Sequence, residues 1–308
     1  MLDPLPNKNL VRGQALLVVL LSMAVILTVV LSVISRSITD ISLTTYSEDA
    51  LRAFSAAEAG VERALIVGSN VSDSVGDASF SADVSGLAEN SPYFNYPVDI
   101  YSNESIYLWF VAHDADGSLI CDGPSGRPCF TGPSVDVCWG RSETSPDSAS
   151  PAIEVSVFYD VGQGGVTSGN FANVEVARAT FDPNSGRAPG INSFTYIPPT
   201  TCALGPENYA FSATVDFSSL GIPALTCQDV EGCLLGARVR TFYNTVLAHP
   251  VGFDVQPEIL PAQGRLVESV GTTSNQSSVR KIEAYRTFGG PAPIFDAAVF
   301  SEGSVTKP

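Results

Sequence analysis

The stretch Ala15–Ile34 reads ALLVVLLSMAVILTVVLSVI and decides the first feature of the fold. It contains no charged residue, no proline and no glycine, and it is flanked by Arg12 and Arg36. Twenty helical residues cover about 30 Å, which is the thickness of the hydrocarbon core of a bilayer. Because a backbone in lipid must satisfy its own hydrogen bonds, the run predicts a transmembrane helix. A secretory signal peptide is the alternative, but its apolar core is normally shorter.

The charges around this run predict its orientation. Lys8 and Arg12 precede it, which favours a cytoplasmic N-terminus, although Arg36 follows its far end. Every acidic residue except Asp3, and all six cysteines, come after the run, as expected for an ectodomain on the outer, oxidising side. The net charge of -16 argues against nucleic acid as a partner, because phosphate binding needs a surface rich in Lys and Arg. We therefore predict a single-pass protein of the cytoplasmic membrane.

The helical pattern continues beyond the apolar run. Between Ser37 and Val67 there is no proline and only one glycine, and Gly68 begins a stop signal. The apolar positions that share one face of a 3.6-residue period are Leu51, Phe54, Val61 and Leu65. The sequence predicts one helix over residues 14–67, with 15–34 in the membrane. Its second half is expected to dock on the following domain through Phe54, Val61 and Leu65.

A family resemblance rests on three features of this region. A basic leader ends in Arg12-Gly13, Gln14 opens the apolar helix, and Ala53–Gly60 reads AFSAAEAG. Over residues 8–67 the chain resembles the PilX-type minor pilins of type IV pili, and it is similar to the large minor pseudopilin of type II secretion. The resemblance implies that a prepilin peptidase removes the leader 1–13 by cutting between Gly13 and Gln14. It also implies partners: other pilin subunits and the pilus or secretion assembly machinery.

Two positions depart from the usual pilin pattern. Most pilins have a glutamate at the fifth position of the mature chain, where this sequence has Val18. Most also have an aromatic residue at the first mature position, where this sequence has Gln14. In the family, that carboxylate pairs with the terminal amine of a neighbouring subunit. A subunit without it suits a tip or initiating place better than a repeating one. An unprocessed single-pass anchor is the alternative that these departures leave open.

Beyond residue 68 the pattern changes to short segments rich in Val, Ile, Tyr and Phe, separated by turn-forming clusters. The predicted strands are Ile106–Ala112, Val135–Trp139, Ile153–Tyr159, Val174–Phe181, Tyr209–Phe217, Ala237–Thr245 and Val279–Phe288. We therefore predict an α+β fold, in which the long N-terminal helix is followed by a large antiparallel β ectodomain over 68–308. Its size favours two subdomains, divided near the Pro-Pro-Thr-Thr segment at 198–201.

The cysteines form two clusters of three, so full pairing needs at least one bond between the clusters. They are Cys121, Cys129, Cys138, Cys202, Cys227 and Cys233. The simplest arrangement pairs 121 with 129, 138 with 202 and 227 with 233, but fifteen connectivities are possible. The oxidising compartment favours disulfides over free thiols. The lack of a C-x-x-C pair argues against zinc.

Signatures of ligand binding and catalysis are incomplete. Asp114 and Asp116 offer alternate carboxylates that suit calcium, but no glutamate follows at the required distance, and such a segment is more often a β-turn, so calcium is a weak candidate. The chain has neither G-x-S-x-G nor H-E-x-x-H. We expect no enzymatic activity, no catalytic residue and no cofactor.

The leading hypothesis is a structural, minor pilin-like subunit of a type IV pilus-like filament at the cell surface. Its β ectodomain would make assembly, tip or adhesion contacts. A type II secretion pseudopilin and an unprocessed, membrane-anchored binding protein are the alternatives.

Overall fold

A computed structural model describes residues 12–114, 116–121, 127–161, 173–223 and 233–290. The chain begins with one helix, α1 (Arg12–Val67), of 56 residues. The helix ends where the stop signal predicts: Gly68 has a φ of +75°, and its N–H donates to the carbonyl of Ala64 at 2.7 Å. A left-handed glycine at this position satisfies an otherwise orphaned carbonyl.

Strands make up the regular structure of the rest of the described chain. Their bounds are β1 (Val71–Val75), β2 (Ala78–Gly86), β3 (Tyr93–Asn95), β4 (Ser105–Trp109), β5 (Ala112–His113), β6 (Leu119–Ile120), β7 (Ser134–Arg141), β8 (Ala152–Asp160), β9 (Val174–Asp182), β10 (Thr195–Tyr196), β11 (Cys202–Leu204), β12 (Glu207–Asp216), β13 (Leu234–Phe242), β14 (Val251–Asp254), β15 (Gly264–Thr273) and β16 (Val279–Thr287). A long helix followed by a largely antiparallel β region confirms the predicted α+β fold.

A first compact unit comprises the residues up to Asp83 together with Val267–Ala284. It contains α1 and strands of a four-stranded sheet with the order β1-β2-β15-β16. β1 and β2 form an antiparallel hairpin, whose turn residue Gly76 has a φ of +63°, a conformation that costs glycine little. Alternate residues of β2 are buried, and Phe80 packs with Ala56 of the helix.

The second unit, Val84–Leu266 with the chain from Tyr285 onward, is a β-sandwich. Its two five-stranded sheets have the orders β10-β9-β8-β13-β4 and β11-β12-β7-β14-β3. Alternate residues of the two sheets meet in one core, where Val137, Val155 and Phe211 are fully buried. The indole of Trp139 is buried there too and donates to the carbonyl of Pro151 at 2.8 Å. Face-to-face packing of this kind is how two half-apolar sheets remove their inner faces from water.

The division predicted near 198–201 is not where the structure divides. Both sheets of the sandwich combine strands from before and after this segment: β13 pairs with β8 and β4, and β12 pairs with β7. The Pro-Pro-Thr-Thr segment is therefore a connection inside the sandwich. The boundaries instead fall at 83/84, 266/267 and 284/285.

Disulfides fasten the sandwich unit at two described places. Cys121 bonds to Cys129 across eight residues, and Cys138 of β7 bonds to Cys202 of β11 across 64 residues. These are two of the three bonds in the simplest arrangement. Cys233 is also disulfide-bonded, and Cys227 lies outside the described residues.

A buried ion pair organises the loop that follows β9. The guanidinium of Arg187 donates to both carboxylate oxygens of Asp182, at 2.8 and 3.0 Å. It also donates to the carbonyls of Ser148 and Ser150, and it stacks 4.1 Å above the ring centre of Tyr243. Because all these partners are present, the buried charge is compensated and fixes the loop geometry.

We expect the two described disulfides to differ in their contribution to stability. Replacing Cys138 and Cys202 together by serine should lower the free energy of unfolding by about 4 kcal/mol, because a 64-residue loop is released. Replacing Cys121 and Cys129 should cost about 2.5 kcal/mol, because only eight residues are released. Urea denaturation followed by tryptophan fluorescence checks this order, and equal losses would contradict it.

Candidate functional site: the N-terminal helix and its seat

The first half of α1 is apolar and fully open to its surroundings. Every described residue from Gln14 to Ile34 is exposed, and no part of the apolar window is buried against the rest of the chain. By length and composition, α1 is able to cross a membrane. A chain with this helix is suited to single-pass anchoring, because water is a poor solvent for so large an apolar surface.

The few hydroxyl groups in the apolar half bond to the helix itself. Ser22 donates to the carbonyl of Val19 at 2.9 Å, and Thr28 donates to the carbonyls of Ala24 and Val25. Internal bonding of this kind satisfies a hydroxyl in a medium that offers no partner. These residues therefore do not interrupt the apolar surface.

The second half of α1 rests on the sheet of the first unit through small residues. Its buried small residues are Ala53, Ala56, Ala57, Gly60 and Ala64, which follow the i, i+3, i+4, i+7, i+11 spacing of one helix face. We call these five residues the seat. The docking prediction is therefore wrong for Phe54, which is 43% exposed, while Val61 and Leu65 are only partly buried.

The reason for small residues is the close approach of the two backbones. A Cβ atom on Gly271 of β15 would lie 1.9 Å from the carbonyl oxygen of Ala53 and 2.6 Å from the amide nitrogen of Ala57. A Cβ atom on Gly60 would lie 2.2 Å from Ser269 Oγ and 2.8 Å from the ring of Phe80. A side chain at Gly271 would strike the backbone of α1 and push the helix away from the sheet, whereas one at Gly60 would displace the side chains of Ser269 and Phe80.

The carboxylate of Asp49 binds the β15–β16 turn, one helical turn before the first residue of the seat. Asp49 is buried and accepts hydrogen bonds from Ser277 Oγ at 2.6 Å and from Asn275 Nδ2 at 3.4 Å. These two bonds, with the nearby Arg52, hold the pKa of Asp49 below its ordinary value. The carboxylate thus stays ionised and ties the helix to the turn between β15 and β16.

Two exposed ion pairs reinforce the contact. Arg52 lies 2.9 Å from Asp77 in the β1–β2 turn, and Arg63 pairs with Asp73 of β1. Exposed pairs contribute little individually. Both pairs join α1 to the β1–β2 hairpin, so together they favour one rotation of the helix about its own axis relative to this hairpin.

The predicted processing residues lie at the beginning of α1. The helix starts at Arg12, so Gly13 and Gln14 both belong to its first turn. Residues 1–11 of the predicted leader lie outside the described residues. Val18, at the position where most pilins have glutamate, is exposed with the rest of the apolar half.

The calcium candidates do not converge on a common site. Asp114 forms an ion pair with Arg127 at 3.1 Å, and Asp116 accepts hydrogen bonds from the amide and hydroxyl of Ser118. These bonds are those of a turn closing the β5–β6 hairpin. Among the described residues, no group of three His, Cys, Asp or Glu side chains is arranged to hold a metal ion.

His113 is packed between aromatic rings. Its ring is stacked 4.1 Å from that of Phe288 and meets Trp109 edge-on at 4.5 Å. Burial lowers the pKa of His113 to about 4. It borders a cleft of about 270 Å³ in the sandwich unit, which Arg127 and Arg265 also line.

Comparisons with known proteins leave the family open. No protein-family model matches the chain, and no curated protein matches it in sequence.

We expect Gly271→Ala to loosen the seat. The added methyl group would strike the backbone of α1, so the first unit should lose about 1–3 kcal/mol of stability. Gly289→Ala is the matched control, because a Cβ atom there meets nothing within 4 Å. Hydrogen exchange of the β2 and β15 amides in the detergent-solubilised full chain should speed up in the first variant only. Equal exchange in both variants would contradict a tight seat.

The buried His113 predicts a loss of stability in mild acid. Its folded pKa of about 4 lies below the ordinary value of 6.5, so between these pH values the unfolded chain binds a proton that the folded chain does not. The free energy of unfolding should therefore fall as the pH drops through this window. His113→Phe should reduce the slope, leaving the part due to His249, whose pKa burial also lowers. Urea titrations at several pH values test this, and an unchanged slope would exclude His113 as the cause.

Proposed function

We propose that this chain is a structural, minor pilin-like subunit of a type IV pilus-like filament. The observation that carries the proposal is the division of α1 into an exposed apolar half and a half seated on the chain's own sheet. Such a helix can be held in a bilayer before assembly and packed among similar helices after it. In both places its apolar surface stays out of water.

A second apolar surface on α1 also supports assembly. Leu51 and Phe54 remain exposed, at 64% and 43%, and around the helix Phe54 lies about 100° and Leu51 about 160° from the seat. Together with Val61 and Leu65 they form a stripe that runs along the seated half. A lone anchor would gain nothing from this stripe, whereas a subunit in a helical bundle would bury it against a neighbour.

The absence of a carboxylate at Val18 points to a special place in the filament. A repeating unit of the usual kind would offer an acid to the terminal amine of its neighbour, and this chain offers an isopropyl group. We therefore propose a tip or initiating position, with the N-terminus in the cytoplasm and the β unit outside. The role is structural and not enzymatic.

A type II secretion pseudopilin would share all these features and is the nearest alternative. The second alternative is an unprocessed, membrane-anchored binding protein, which the unusual Gln14 favours. Cleavage of the leader by prepilin peptidase would distinguish the pilin and the pseudopilin from this binding protein.

Prepilin peptidase should remove residues 1–13 from the purified full chain in detergent. Mass spectrometry should show a mature chain beginning at Gln14, and Gly13→Leu should abolish the cut. Gln14→Phe is the matched control, because it supplies the usual aromatic residue and should still be cleaved. If Gln14→Phe is cut while the natural sequence stays intact, the chain is an unprocessed anchor and the filament proposal fails.

A further inference from the structure

The proposed cut between Gly13 and Gln14 would give the mature chain a glutamine as its first residue. Gln14 belongs to the first turn of α1 and is exposed, so its side-chain amide is accessible for reaction. Glutamine carries an electrophilic carbon, that of its carboxamide, at the distance from its own α-nitrogen that closes a five-membered ring. As a first residue, Gln14 therefore brings a nucleophile and an electrophile together within one side chain.

An α-amine at this place would be a charge without a partner on its own helix. No acidic residue occurs from Gln14 to Thr39, and Asp40 is about 39 Å farther along the helix. Val18 lies one turn after Gln14, where a longer polar side chain could reach the terminus, but its own side chain is an isopropyl group. The ammonium would also add to the partial positive charge at the N-terminus of the helix. A charged terminus is therefore unfavourable wherever water is excluded from it.

This charge matters most when the subunit leaves the bilayer. Lys8 and Arg12, which hold the uncut end at the aqueous surface, are removed with the leader. The terminal amine is then the only charge ahead of Arg36. Drawing α1 out toward the side of the β unit takes this amine through the hydrocarbon, where a charge at the centre costs about 3 kcal/mol or more. A neutral terminus would avoid this cost.

We propose, building on the filament role proposed above, that Gln14 is a modification site and that the mature chain begins with pyroglutamate. An α-amine is partly uncharged near neutral pH and can then act as a nucleophile. The α-nitrogen attacks the carboxamide carbon of the same residue, the new C–N bond closes a five-membered lactam, and the bond from this carbon to the amide nitrogen breaks. That nitrogen leaves as ammonia, taking one hydrogen from the α-amine. The reaction consumes no oxidant, reductant or co-substrate, and the lactam carries no charge.

A lactam removes the terminal charge without help from another subunit. A carboxylate can neutralise an ammonium only where a neighbour brings the two groups together. A subunit at a tip or initiating place has neighbours on one side only, so a terminus that is neutral by itself suits that place. The lack of an acid at Val18 and the presence of glutamine at position 14 then have one common explanation.

The test follows the terminus of the full chain, co-expressed with prepilin peptidase and purified from membranes in detergent. The intact protein is first treated with an amine-reactive reagent, which prevents ring closure during later handling, and is then digested with trypsin. The N-terminal fragment of the mature chain runs from Gln14 to Arg36 and contains no lysine, so the terminus is its only amine. Mass spectrometry should show an unlabelled fragment that is lighter by one ammonia than the sequence 14–36.

Gln14→Asn is the matched control. Asparagine keeps the amide and is shorter by one methylene group, so the same attack would have to close a strained four-membered ring. The fragment of this variant should therefore carry the label in full. Gln14→Phe, which has no amide, should be labelled as well, and it provides the comparison if the asparagine variant is cut poorly.

Three results would overturn the proposal. A natural fragment that begins at Gln14 and carries the label has a free amine, which excludes cyclisation and leaves the filament role standing. A blocked fragment that is heavier than the sequence 14–36 would show that another group caps the amine, with the same consequence. A chain that retains residues 1–13 has no terminal glutamine, and this result would exclude both the cyclisation and the proposed processing.

Discussion

The near-contact between the backbone of α1 and that of β15 is the constraint on which the first unit depends. At Gly271 and Gly60 there is no room for even a methyl group, so the helix lies closer to the sheet than larger side chains would allow. This closeness brings Asp49 within hydrogen-bonding reach of Ser277. The small residues thus set the distance between the helix and the sheet, and the polar bonds set the rotation of the helix about its axis.

The length and end of the helix could be read from the sequence, but its docking face could not. A run without proline that ends at a glycine gives the bounds almost to the residue, because local chemistry decides where a helix stops. Periodicity identifies the large apolar stripe around Phe54 and assigns it to the interior. The alanines and Gly60 within AFSAAEAG form the actual seat, and their spacing is visible once small residues are counted as a face. Which face is buried depends on Gly271, about 210 residues away in sequence, and no local pattern reports that.

The sandwich shows the same limit on sequence reasoning. β8 is recognisable because Ile153, Val155 and Val157 alternate with Glu154 and Ser156, although the structure buries nearly the whole strand on both faces. β2 is absent from the predicted strands, because its serines and its glycine resemble a turn-forming cluster. The Pro-Pro-Thr-Thr segment resembles a domain linker, yet β13 passes back beside β8 and β4. Strand order is set by long-range pairing, and composition does not encode it.

The two apolar surfaces of α1 serve different purposes because they differ in side-chain size. Small residues permit close and rigid contact but bury little area, so the seat is stabilised by fit and by its polar bonds. Large residues such as Leu51 and Phe54 bury more area per residue, and each gains most when a partner covers it. A chain that used its large residues for the seat would have no apolar stripe left for a neighbouring helix. Seating the helix through alanine and glycine keeps the large side chains exposed, and in the filament that we propose they would be available for contact with a neighbouring helix.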